Sequence, residues 1–246
     1  MIWFIIATLV AFFIKGLCGF ANTLIFNGIL SYTANNINIS PLEVVLGYPS
    51  NIILVWKERK SLNWKIWLPL TALVVAGSIP GIFLLKHTDA GLLKVIFGIA
   101  VIVIGVEMLF REMKSNRESS NRKPSGSKLV LVLIGIISGL LCGLYGVGAL
   151  MAAYVSRVAE NSHEFKANIC VVFVVENTIR IILYVATGIL TLSVLKQVVI
   201  LIPFMLAAVF LGMKSSSVLN EKIIKKIVII LLILSGIVLI INNIPG

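Results

Sequence analysis

Three groups of residues in this 246-residue chain combine the side-chain types and spacing needed to hold an anion. The first is Lys15-Gly16-Leu17-Cys18-Gly19-Phe20-Ala21-Asn22, reached after a long run of apolar and small residues. The second is the glycine-rich run from Gly139 to Gly148, which includes Cys142, Gly143 and Gly146. The third is Glu176, Asn177 and Arg180, of which the first and last stand four apart and so share one helix face. Glycine costs about 1 kcal/mol relative to alanine within a helix, so the two glycine runs read as interruptions or as sites of very close packing. An interrupted helix frees backbone N–H groups, and its N-terminal half attracts negative charge.

Each group also has a purely structural reading. Gly16, Gly19, Gly143, Gly146 and Gly148 can serve tight helix crossings instead of backbone contacts to a ligand. Lys15 either snorkels to an interface or supplies positive charge at the break; a charge at the bilayer centre costs about 2.5–3.5 kcal/mol. Asn22 and Asn27 can donate to an oxyanion or satisfy freed backbone. Glu176 and Arg180 form either a self-neutralised pair or an anion ligand, Arg180, with a partner or proton site, Glu176. The corresponding region of the first half offers Tyr48 and Asn51 and no charge.

The elements that position these groups follow from composition. Hydrophobic residues make up 59% of the chain, charged residues only 13%, and mean hydropathy is +1.07, far too apolar for a soluble core. Apolar segments cover 2–30, 41–56, 64–85, 92–110, 129–155, 167–186, 198–213 and 227–241, mostly near the length that crosses a hydrocarbon layer of about 30 Å. The expected fold is therefore all-α: a polytopic integral membrane protein of about eight apolar helical segments in two repeats of four. The expected division is 1–110 for the first repeat, 111–128 for a basic linker and 129–246 for the second repeat. Order-preserving matches support a duplication: Cys18-Gly19 with Cys142-Gly143, Asn51 with Asn177, Pro69 with Pro203 and Gly81 with Gly212.

The net charge of +11 fits the bias of Lys and Arg toward cytoplasmic loops better than it fits nucleic acid. If each glycine-broken segment crosses once, 11 basic residues fall on the linker side and 8 on the other. If each is a re-entrant hairpin, the counts become 16 and 3. The second arrangement obeys the positive-inside rule far better; it inverts the second repeat and puts the linker in the cytoplasm of a plasma-membrane protein.

Chemistry other than binding finds little support. His87 and His163 read as solvated loop residues, the single aspartate is Asp89, and no metal-ligand spacing or nucleophile–base motif occurs. Cys18, Cys142 and Cys170 lie within apolar segments and read as packed small residues. No enzyme activity, metal or cofactor is expected. The expected partners are the lipid bilayer and a small anion, with a proton or cation as coupling ion; a homo-oligomer is left open.

With its two glycine-rich segments, four-plus-four organisation and basic linker, the chain resembles the TauE/SafE family of sulfite-exporter-like membrane proteins. The most specific residues are Gly139 to Gly148 followed by Ala149-Leu150; Gly16 to Asn22 is a degenerate copy. The family's denser glycine run is interrupted here by Tyr145 and Val147, and Met151-Ala152-Ala153 follows where a proline is usual. The resemblance implies secondary transport, often export, of sulfite-like or organosulfur and organic anions by alternating access between the repeats. An anion channel and a membrane scaffold without substrate are the alternatives.

Overall fold

The computed structural model describes residues 1–30, 36–84, 128–145 and 148–241, with isolated positions between 95 and 110. Most of the expected segment 92–110, the linker 111–127, His87, Asp89 and Gly146 lie outside the described residues. Among those described, the regular elements are helices: α1 (Ile2–Cys18), α2 (Asn22–Leu30), α3 (Asn36–Glu58), a 3-10 turn (Arg59–Ser61), α4 (Trp64–Leu84), α5 (Lys128–Tyr145), α6 (Ala149–Val158), α7 (Ser162–Ala186), α8 (Leu192–Val218) and α9 (Glu221–Ile241). Three of them, α3, α7 and α8, are long and apolar enough by themselves to cross a bilayer. Large apolar side chains such as Leu68, Val199, Phe210 and Leu211 stand exposed, as they must where the surrounding solvent is lipid.

Both glycine runs interrupt helix. Gly19 closes α1 at φ 87°, with its N–H donating to the Lys15 carbonyl at 2.6 Å, and Ala21 follows at φ 72°, a left-handed conformation that costs a non-glycine residue about 1–2 kcal/mol. After this break α2 turns back beside α1. The rings of Phe12 and Phe26 lie 6.5 Å apart, whereas a continuous helix would separate them by about 21 Å. The second run ends α5 at Tyr145 and begins α6 at Ala149.

Local chemistry explains the other boundaries. Asn161 caps α7 by accepting from the Glu164 N–H at 2.9 Å, and Glu164 reaches back to accept from the Glu160 N–H at 2.6 Å, so one side-chain pair meets two donors at the helix start. Thr191 accepts from the Val194 N–H to cap α8. The sequence pattern starts the second segment at Pro41, but α3 begins at Asn36 and runs through both Pro41 and Pro49. Proline lacks an N–H and so frees the carbonyl four residues earlier, which neighbouring groups in a helical bundle can satisfy. His163 is in the first turn of α7 instead of a loop, half-exposed, with Nδ1 2.7 Å from Glu58 Oε2.

That pair belongs to a polar seam at one end of the bundle. Asn63, between α3 and α4, donates through its backbone N–H to Asn168 at 3.0 Å and through its amide to Glu164 at 2.8 Å. The α3–α4 turn and the start of α7 therefore lie at the same end. Trp56 and Trp64 are exposed there, with Arg59 over the first ring at 4.6 Å and Lys65 over the second at 5.9 Å. Exposed tryptophans with basic neighbours are the composition of a membrane–water interface.

Helices α3 and α7 pack together at the centre, α1 packs on α8, and α4 packs on α5. The two outer pairs use the same glycine geometry. A Cβ on Gly16 would stand 2.3 Å from the Val209 carbonyl, and one on Gly212 would stand 2.2 Å from the Phe13 carbonyl. In the other pair, a Cβ on Gly77 would meet the Ile136 carbonyl at 2.2 Å and one on Gly139 the Val74 carbonyl at 2.1 Å. In all four cases the clash is with the carbonyl three residues before the partner glycine, which is backbone and cannot rotate aside. Gly139→Ala and Gly212→Ala should each lower the thermal unfolding midpoint in detergent, overpacking of this kind costing about 1–3 kcal/mol. A scan matching the parent protein would show that the crossings can separate freely.

Candidate functional site

The break between α1 and α2 carries its polar residues into the seam between α3 and α7. Asn22 opens α2; its Nδ2 donates to Glu43 Oε1 on α3, and Thr23 Oγ1 donates to the same oxygen at 2.8 Å. One turn along α3 is Gly47, where a Cβ would lie 3.3 Å from Glu43 Oε1 and 3.6 Å from each amide nitrogen of Asn22 and Asn177. Two amides and a carboxylate from three helices thus converge over a position that lacks a side chain. Asn22, Glu43 and Asn177 are all buried.

Arg180, one turn beyond Glu176 on α7, extends the cluster. Its Nη2 donates to Ser40 Oγ at 2.9 Å and to Tyr184 Oη at 3.0 Å, while its Nε lies 3.7 Å from Glu176 Oε1. Both members of this ion pair are 1% exposed. The pair is close in charge but not hydrogen-bonded through those atoms: Arg180 Nε and Glu176 Oε1 have no hydrogen-bond partner among the described residues. Arg180 is thus held through Nη2, and its Nε has no hydrogen-bond partner among the described residues.

Lys15 is buried, so the interface reading of its charge is excluded. Its ammonium lies 5.8 Å from the ring centroid of Phe12 and 5.9 Å from that of Phe173, the aromatic faces providing favourable contacts for a cation. Phe173 also covers the second break: a Cβ on Gly148 would stand 2.3 Å from its Cζ. Phe173 of α7 thus lies near both interruptions, with the Lys15 ammonium from one and Gly148 from the other.

The residues expected at a site divide into two sets. Lys15, Asn22, Glu176, Asn177 and Arg180 come together around Glu43 and Gly47. Asn51, one turn beyond Gly47 on α3, is fully buried, and neither atom of its amide has a hydrogen-bond partner among the described residues. Gly16 faces the backbone of α8, and Gly19 faces Lys166, whose Cγ would be 3.0 Å from an added Cβ. Gly148 is sealed by Phe173, and Gly143 lies within α5.

Glu43 corrects the reading of the first half as uncharged in this region. A carboxylate in an otherwise apolar segment was the available signal, masked by the strength of the apolar pattern after Pro41. Ser40, Thr23 and Tyr184 are further contributors that only the fold brings in. Lys166 is another: it is 2% exposed within α7 and its ammonium donates to Ser216 Oγ on α8. Among the described residues no cluster of His, Cys, Asp or Glu has the arrangement of a metal site.

Apolar helices closed around a buried charged cluster at a break in the backbone are the build of a membrane protein. The chain belongs to the Sulfite exporter TauE/SafE family, whose family model matches residues 4–239. The family is one of membrane transporters of the sulfite-exporter type. No curated protein and no solved structure matches the chain.

The orphaned amide of Asn51 separates stability from binding. A buried polar group without partners costs about 1–3 kcal/mol. Asn51→Leu, of similar volume, should leave thermal stability unchanged or raised while weakening anion binding. Destabilisation comparable to a core truncation would mean that the amide is satisfied within the protein.

Proposed function

We propose that the protein is a secondary transporter, working as an exporter of sulfite-like or organosulfur and organic anions by alternating access between two inverted repeats, 1–110 and 129–246. The observation that carries this reading is the convergence of Asn22 and Asn177 over Gly47, beside Lys15 and Arg180 and one turn from the unpartnered amide of Asn51. Oxyanions are held by such sets of N–H donors and cations, and a half-helix N-terminus favours the same charge. Gly47 precedes Trp56 by about 13 Å of helix, close to half the hydrocarbon thickness of about 30 Å, which supports a site near the bilayer midplane.

Arg180, Lys15, Asn22, Asn51 and Asn177 are the proposed anion ligands. Glu176 is the proposed partner of Arg180 and a coupling carboxylate. The common end of the α3–α4 turn and the start of α7 supports re-entrant first segments, because a single crossing by 129–155 would send these two features to opposite faces. The reciprocal crossings at Gly16–Gly212 and Gly77–Gly139 support the pairing of repeats. In a plasma membrane the linker 111–128 would be cytoplasmic under the positive-inside rule.

Proteoliposomes containing the protein should show saturable, pH-dependent flux with at least one of sulfite, thiosulfate, sulfoacetate, methanesulfonate and simple carboxylates. Arg180→Ala should lower that anion's affinity about 10- to 100-fold in correctly inserted protein, the scale of a lost charge-assisted hydrogen bond. Absence of flux with every member of the panel would remove the anion reading and leave the scaffold; unsaturable flux independent of any gradient would make the protein a channel; intact affinity and flux in Arg180→Ala would remove Arg180 from the site. Single cysteines placed in the linker and just after Asn161 should label from the same side of the membrane. Labelling from opposite sides would overturn the inverted arrangement.

A further inference from the structure

Glu43 occupies the position that a bound anion is expected to want. Its Oε1 takes both side-chain donors at the start of α2, Asn22 Nδ2 and Thr23 Oγ1, immediately after a backbone break whose freed N–H groups favour negative charge. It does so from a different helix, across the empty position at Gly47, and it is 3% exposed. The groups facing it are Lys15 from α1, Arg180 and Glu176 from α7 and the thiol of Cys142 from α5, with only neutral Asn22 and Thr23 from α2. With all four side chains ionised, the two cations and two carboxylates balance without a ligand. An added anion makes the buried cluster net negative, a state that low-dielectric surroundings oppose strongly.

We propose that Glu43 is a tethered surrogate for the transported anion, displaced from Asn22 and Thr23 when it takes up a proton, so that each monoanion enters the site together with one proton. This rests on the transport reading above, departs from it in making Glu43 instead of Glu176 the coupling carboxylate, and sets the stoichiometry. The step balances: a proton from the water of the open side adds to the Glu43 carboxylate, its hydrogen bonds to Asn22 and Thr23 pass to the incoming oxyanion, and no net charge is added. On release the anion and proton leave together and the carboxylate returns to the two donors; export therefore proceeds when the anion's outward gradient exceeds any inward proton gradient. The device also closes the site when empty, since the donors are never left without an acceptor.

Methanesulfonate, a monoanion that does not titrate near neutral pH, is the appropriate probe. Calorimetry in two buffers of different ionisation enthalpy should show uptake of about one proton per anion bound by the wild-type protein, with affinity falling about tenfold per pH unit once Glu43 is ionised. Glu43→Gln mimics the protonated acid: it should bind without proton uptake, with an affinity independent of pH and higher than wild type at alkaline pH. It should exchange anion for anion yet lose accumulation driven by a pH gradient. A merely structural role predicts weaker binding at every pH, which would overturn the proposal. Binding by wild type without proton uptake would do the same, as would uptake that persists in Glu43→Gln and vanishes in Glu176→Gln. In these cases anion transport itself would stand. Failure of wild type to bind or move methanesulfonate or any other anion of the panel would instead remove the transport reading and this inference with it.

Discussion

A peptide group freed from its helix inside a bilayer has no water to turn to, and everything else in this structure answers to that constraint. Two breaks are built into the chain, one at Gly19 to Ala21 and one before Ala149, and each would be untenable against lipid. They are enclosed by α3 and α7, the central pair, and sealed outside by α1 on α8 and α4 on α5. The sealing depends on backbone approaching backbone, which is why the four crossing positions are glycine. Packing that looks like routine small-residue contact is thus the condition under which an irregular segment can exist at membrane depth at all.

Enclosure raises the stakes for the charges it brings along. Lys15, Glu43, Glu176 and Arg180 are each no more than 3% exposed, so the cluster must be neutral or nearly so to be tolerated. Its hydrogen bonds are distributed unevenly. Glu43 is held by two donors and Arg180 by two hydroxyls, whereas the Glu176–Arg180 contact and the Asn51 amide carry atoms without a partner among the described residues. A purely structural core minimises such atoms, because each costs as much as a lost hydrogen bond. Among the described residues such atoms occur also at Asn27 on α2 and Ser138 on α5, but those of Asn51 on α3 and of Glu176 and Arg180 on α7 are the ones that support the proposed ligand site.

Much of the architecture was legible in the residue order because membrane helices are written in length and apolarity. Segment 64–85 corresponds to α4 and segment 167–186 to most of α7, and both interruptions fall within the glycine runs. Helix ends were less legible: hydropathy drops at polar caps, so α7 begins five residues early at Ser162, where Asn161 and Glu164 supply hydrogen bonds that an apolar count ignores. The site was half legible. Arg180, Glu176 and Asn177 announce themselves by charge and spacing on one face, but Glu43 and Gly47 gain meaning only when α2 folds back and sets Asn22 against them. The glycines show the same limit in reverse, since sequence alone does not separate Gly16, which faces a neighbouring helix, from Gly47, which faces three polar groups.

The seam between α1 and α8 joins residues that are made far apart in time. Gly16 has left the ribosome well before Gly212, and at about 5–20 residues per second the interval is on the order of 10–40 s. For that period α1 sits in the membrane with its glycine face unmatched and Lys15 without the aromatic cover of Phe173, which is also made late. The nascent first half must therefore be sheltered by lipid, by the insertion machinery or by its own α2 until the second half arrives, so its stability as an unfinished chain is a quantity separate from that of the finished protein.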